Sequence, residues 1–172
     1  RTTPVKTPSA TRISVPAGLC INFNDRLQGP QSEDLGHTSE NFLIHRKDGF
    51  YAYQLAVVVD DAHQGITHIV RGSDLMDTTA RQQFLQQMLG HPTPDYCHIP
   101  VITNTQGQKF SKQNHAPALA DLDALENLRS ALQFLHQPPP PKHIDSPEEV
   151  LNFASHHWSH QLIPAVTSIP AP

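Results

Sequence analysis

The segment from Gly65 to Gly90 constrains the fold of this chain more than any other. Ile66-Thr67-His68-Ile69-Val70 is a short, β-branched apolar run of the kind that forms a buried strand. It leads directly into Arg71-Gly72-Ser73-Asp74. Beyond that loop Phe84, Leu85, Met88 and Leu89 fall on one helical face, with Asp77 or Thr78 placed to cap the helix and Gly90 and Pro92 to end it. A strand, a loop and a helix in this order form a unit of α/β type. Its arginine stands where open α/β sheets gather ligands, beyond the carboxyl end of a strand.

The flanking segments extend this unit on both sides. TRISV (11–15) and LCINFND (19–25), separated by Pro16-Ala17-Gly18, read as a hairpin-like pair, and Phe42 to Arg46 as a further strand closed by the Lys47-Asp48-Gly49 turn. The three valines of FYAYQLAVVVDDAHQG favour a strand. Tyr53, Leu55, Ala56 and Val59 instead fit a helical face, and a helix ended by Gly65 is the reading adopted. HIPVIT (98–103), a turn from Asn104 to Gly107, and QKFS (108–111) form a strand and reversal that deliver a lysine-bearing loop. Leucines from Leu119 to Leu135 recur at helical spacing up to four prolines at 138–141, which stop the helix. Ser146, Pro147 and Glu149 open another helix with a capping box, its buried face being Val150, Leu151, Ala154 and Trp158. A proline-containing tail follows. The expected organisation is a β-rich lead-in over 1–50, a central α/β part over 51–119, and helices with a tail over 120–172.

Two sets of residues could carry chemistry. A guanidinium at the position of Arg71 can hold a carboxylate bidentately, or it can serve as a structural ion pair to Asp74 or Asp61. Lys109 and Lys112, flanking Phe110-Ser111, offer compact charges suited to polyphosphate, or they are solvated surface lysines. Asp60 and Asp61 are adjacent on a helix, project about 100° apart and do not converge. His156, His157 and His160 have metal-like spacing but no cysteine or carboxylate to complete a site, and are read as surface and packing histidines.

Bulk properties set limits on partners. A formal net charge of −4 gives no global basic field, so RNA contact would depend on a local patch. Cys20 and Cys97 lack Cys-x-x-Cys partners, so neither a disulfide framework nor a complete zinc signature is present. With no apolar run near the ~20 residues that span a bilayer and no signal peptide, the expectation is a soluble cytoplasmic protein.

Taken together, YAYQLAVVVDDAHQGITHIVRGSDLMDTTARQQFLQQMLG and PDYCHIPVITNTQGQKFSKQNHAPAL resemble the second half of the catalytic domain of class I glutamyl-tRNA synthetases. The resemblance runs nearly continuously over 51–119 and extends upstream to DRLQG at 25–29. It implies a Rossmann-type α/β fold with a small helical end. KFSKQ resembles the Lys-Met-Ser-Lys-Ser signature of these enzymes, with Phe110 in place of Met and Gln113 in place of the last Ser. By this resemblance Lys109, Ser111 and Lys112 would contact ATP, Lys112 in the catalytic role, while Tyr53 and Arg71 would bind glutamate. SKQNHA followed by about two helices is similar to the branch of the family that attaches glutamate to queuosine in the anticodon of tRNA(Asp). Glutamate, ATP with Mg²⁺, and tRNA(Asp) are thus the implied partners.

The family's His-Ile-Gly-His-type signature and its cysteine-containing zinc site precede this segment, and neither occurs in the 172 residues. The sequence also opens on Arg1. The expectation is a piece of a longer enzyme, inactive alone and prone to self-association, with zinc confined to the upstream part. The rival readings are a non-catalytic tRNA- or protein-binding module derived from such a domain, and a fragment of an ordinary glutamyl-tRNA synthetase.

Overall fold

The computed structural model describes residues 8–38, 41–110 and 121–171, and the chain divides into two compact units, Arg1–His98 and Ile99–Pro172.

The first unit begins with two antiparallel ribbons. β1 (Thr11–Ser14) pairs with β4 (Asn41–His45), and β2 (Cys20–Asp25) pairs with β3 (Gly29–Asp34). The hairpin expected over 11–25 is therefore corrected. Pro16-Ala17-Gly18 makes a turn, with the Leu19 N–H on the Pro16 carbonyl at 3.2 Å, but the strands on either side find other partners. The reversal after β2 is driven by Asp25, whose Oδ1 accepts the backbone N–H of Leu27 and Gln28 at 3.0 and 2.9 Å. β3 carries no apolar alternation in Gly-Pro-Gln-Ser-Glu-Asp, and its backbone pairing, rather than its side chains, makes it a strand.

Between the ribbons lies α1 (Leu35–Thr38), which buries Leu35. α2 (Tyr53–Gln64) is helical despite its valines, and Gly65 closes it in the left-handed region at φ 68°. β5 (His68–Gly72) passes through a 3-10 turn, Ser73–Leu75, into α3 (Met76–Leu89), which Gly90 ends. The sheet partner of β5 is β6 (Asp95–Ile99). His68 lies 3.6 Å from Asp95 at one end and Arg71 3.0 Å from His98 at the other, so the two strands run parallel with α3 as their crossover.

Packing differs from expectation at three points in this region. Val70 is 66% exposed, so β5 is not the fully buried strand its composition suggested; among the described residues β6 is its one neighbour. Neither Asp77 nor Thr78 caps α3, because the helix starts at Met76 and the Thr78 hydroxyl donates back to the Leu75 carbonyl. The buried face of α3 includes Phe84 and Leu85 but turns through Thr79, Gln82 and Gln86 rather than Met88 and Leu89, which are exposed. The core of this unit joins Ile21, Leu35, Phe42, Val58, Phe84 and Leu85, with Phe42 and Phe84 edge to face at 6.3 Å.

In the second unit Pro100 interrupts the single strand expected over 98–103, and β7 (Val101–Thr103) pairs parallel with β8 (Ser168–Pro170), a strand supplied by the tail. The turn after β7 is organised by Asn104, whose Oδ1 accepts from Gln106 and Gln108 N–H, and the reversal brings Lys109 back to a bridge with Thr103, while Ser111 lies outside the described residues. A 3-10 turn, Asp121–Asp123, precedes α4 (Ala124–Phe134); Leu119 lies outside the described residues. α5 (Pro147–His157) opens with Ser146 accepting from the Glu149 N–H, as expected. The Glu149 carboxylate completes the box differently, accepting from the Ser146 hydroxyl. On α5 Val150 is buried whereas Leu151 and, just past the helix end, Trp158 are exposed, so the packed face is narrower than the apolar pattern.

Candidate amino-acid-binding site

Arg71 sits at the carboxyl end of β5, held on several sides. Its Nε donates to His98 Nε2 at 3.0 Å, Nη1 to Gln82 Oε1 at 2.8 Å, and Nη2 to Thr79 Oγ1 at 2.8 Å and the Leu75 carbonyl at 3.3 Å. The guanidinium also lies over the Tyr96 ring, 5.2 Å from its centre. Every one of these partners is neutral. Among the described residues none of its contacts is to a carboxylate, and Asp61 acts on it only as a longer-range charge. The structural ion pair to Asp61 or Asp74 is absent from the contacts of Arg71.

A guanidinium has five N–H groups, and four are engaged here, leaving one on Nη1. A half-buried cation fixed by neutral acceptors keeps its full charge available to an incoming anion. A carboxylate can take the free N–H at once, and a two-bond fork forms if the Leu75 carbonyl, the longest contact, is released.

α3 supplies the cage because Thr79 and Gln82 lie one helical turn apart on the face turned to β5, and Gln82 is itself held by Gln54 of α2 at 2.8 Å. Tyr53, at the start of α2, is 54% exposed, and its phenol is near enough to Tyr96 to raise that group's pKa. Burial is the main cause of the upward shift of Tyr96, with Arg71 opposing it. Of the two residues expected to bind the amino acid, Arg71 lies over Tyr96, and Tyr53 acts on Tyr96 only through a longer-range electrostatic effect. Asp61 is pushed above the ordinary carboxylate value by burial, against the pull of Arg71.

Two residues of this site were not singled out from the sequence. Asp25 and His98 are buried and joined at 2.6 Å, with His98 touching Arg71 on its other edge. The signal was available: Ile21, Phe23 and Asp25 alternate along β2, and Tyr96 and His98 along β6, so both polar residues occupy inward register positions. Lys109 belongs to the second unit, bridged to Thr103. Ser111 and Lys112 lie outside the described residues. The described residues contain no group of three or more His, Cys, Asp or Glu placed to hold a metal ion, His156, His157 and His160 included.

The sequence over most of its length is matched by a known family. The family described as class I tRNA synthetases (E and Q), catalytic domain, matches residues 4–135. The chain belongs to this family. Its curated relatives include the glutamyl-Q tRNA(Asp) synthetase of Thiobacillus denitrificans, 47% identical over 95% of this chain and 55% of that protein. The protein of the same name from Neisseria meningitidis serogroup C is 49% identical over 90% of this chain and 52% of its own length. The chain therefore spans about half the length of the curated relatives it matches. The solved glutamate-tRNA synthetase of Elizabethkingia anophelis superposes with a TM-score of 0.70 over 94% of this chain and 36% of that one, at 20% identity. That likeness establishes the fold: this synthetase-family chain has part of a Rossmann-type class I catalytic domain. No helix among its described residues is long and apolar enough to cross a membrane.

Proposed function

We propose that this chain carries the C-terminal part of the catalytic machinery of an enzyme that activates glutamate with ATP and transfers it to queuosine in the anticodon of tRNA(Asp). The observation that carries the reading is Arg71, a half-buried guanidinium at a parallel strand end with four neutral partners and no carboxylate partner among the described residues. Such a cation lacks only an anion. Relatives at 47–49% identity named glutamyl-Q tRNA(Asp) synthetase support glutamate as the source of that anion and queuosine as the acceptor.

In this reading Arg71 receives a glutamate carboxylate and Tyr53 borders the same space. The carboxylate to be activated attacks the α-phosphorus of ATP, an acyl–phosphate bond forms, and the α–β bridging bond breaks with release of pyrophosphate. Lys112, with Lys109 and Ser111, meets the charge that develops on the departing phosphates. Mg²⁺ would accompany ATP and help neutralise the charge of its phosphates. A nucleophile on the modified nucleoside then displaces AMP.

The test is glutamate-dependent ATP–pyrophosphate exchange in the intact enzyme. Lys112→Ala is expected to slow exchange strongly while leaving glutamate affinity unchanged, because the lysine acts on phosphoryl charge rather than on the amino acid. Exchange at the wild-type rate in that variant rules out the role.

A further inference from the structure

Buried ionisable groups are costly unless they are bonded, and Asp25 and His98 form such a pair that the reaction above does not use. Both side chains are 0% exposed. His98 Nδ1 lies 2.6 Å from Asp25 Oδ2, and the backbone N–H of His98 reaches both carboxylate oxygens, at 3.2 and 3.1 Å. On the opposite edge of the ring Nε2 faces Arg71 Nε at 3.0 Å. Arg71 has only N–H to give, so Nε2 must be the accepting lone pair and the proton must sit on Nδ1. The Thr79 hydroxyl, 3.3 Å from Nε2, can donate to the same lone pair. The partners leave one tautomer.

We propose that Asp25 and His98 are a positioning pair for Arg71: the carboxylate fixes the imidazole tautomer, and the imidazole fixes the guanidinium that receives the amino acid. This rests on the reading of Arg71 as the glutamate receptor. Protonating Nε2 would place two N–H donors against each other across a 3.0 Å contact, forcing Arg71 off its aim. Glutamate binding is therefore lost as pH falls through the titration of His98.

The groups facing His98 pull in opposite directions, and burial with Arg71 prevails in favour of the neutral form. Burial pushes its pKa below 6.5, Asp25 opposes this through the hydrogen bond and its charge, Arg71 lowers it further, and Asp74 raises it at longer range. Tyr96 stacks on the ring at 6.1 Å and brings Asp61 within electrostatic reach of the cluster. Asp25 stays ionised because hydrogen bonds from Gln28, His98 and Leu27 outweigh its burial.

The test uses the 172-residue chain. Long-range proton–nitrogen spectra at neutral pH should show His98 neutral with its proton on Nδ1; the Nε2–H tautomer or an imidazolium overturns the proposal. Glutamate titrations are then run from about pH 5 to 8 on the wild type, His98→Gln, Asp25→Asn and Arg71→Lys. Wild-type affinity should fall about tenfold per pH unit below the pKa of His98. His98→Gln, whose amide oxygen accepts but does not titrate, should flatten that limb, and Asp25→Asn should shift it to lower pH by removing the charge that favours the imidazolium. A wild-type acid limb in both variants, with Arg71→Lys weakened, overturns the pair alone. Unchanged binding in Arg71→Lys, or no glutamate binding by the wild type, refutes the receptor reading instead, and the imidazole spectrum then decides the pair by itself.

Discussion

At the scale of single residues, Arg71 shows how a neutral cage differs from an ion pair. Its planar fork reaches four acceptors in different directions, which a compact ammonium cannot do. Arg71→Lys should weaken glutamate binding by about 1–3 kcal/mol although the charge is kept, as calorimetric titration would read directly. Unchanged affinity would return Arg71 to a structural role. The position of Arg71 was legible in the sequence, since an arginine ending an apolar run is visible without coordinates. Its partners were not, because Thr79, Gln82 and His98 come from α3 and β6 and meet it only through folding.

Among the elements, α1 depends on the absence of a side chain. A Cβ on Gly36 would lie 2.3 Å from the Gly18 nitrogen and 2.9 Å from both the Leu19 nitrogen and the Pro16 carbonyl oxygen, all backbone atoms that cannot rotate away. Gly36→Ala should therefore destabilise by about 3 kcal/mol through overpacking. Gly65→Ala offers a contrast, since nothing lies within 4 Å and only its φ of 68° opposes a side chain. Its cost should be about 1–2 kcal/mol, and urea unfolding of the two variants would give the order. A smaller loss for Gly36 would mean that α1 shifts to make room. Element by element, α2, α5 and the closing glycines Gly65 and Gly90 were readable from local chemistry, because caps and helical periodicity act within a few residues. β3 and β8 were not, since polar or proline-bearing segments become strands only when a distant partner offers a ladder.

For the whole molecule, acid should unfold the chain in a direction set by the buried pair. The folded-state pKa of His98 lies below its ordinary 6.5, so the unfolded chain binds more protons and stability is present above that value and lost as pH falls. Asp25, also lowered from 3.8, adds a second loss of the same sign at lower pH. Urea midpoints measured from about pH 4 to 8 should fall on the acid side, and His98→Gln should reduce the slope nearest 6.5. A slope unaltered in that variant would place the acid sensitivity elsewhere. The 172-residue chain alone is further expected to lack pyrophosphate exchange, because the family's His-Ile-Gly-His-type signature is not in it and orientation of reactants is worth ~7–11 kcal/mol. Robust exchange by the purified chain would show that the active site has been misplaced.

By itself the sequence determined the family, the β-α-β order around Arg71 and the lysine-bearing KFSKQ segment, because periodicity, glycine stops and motif order are properties of neighbouring residues. Tertiary structure decided which strands pair, which face of α3 is buried and what surrounds Arg71. Asp25 and His98 are 73 residues apart, and although strand alternation marks each as inward-facing, nothing local says that they face each other. Only the packing of β2 beside β6 brings the carboxylate to the imidazole, and burial then makes their hydrogen bond obligatory.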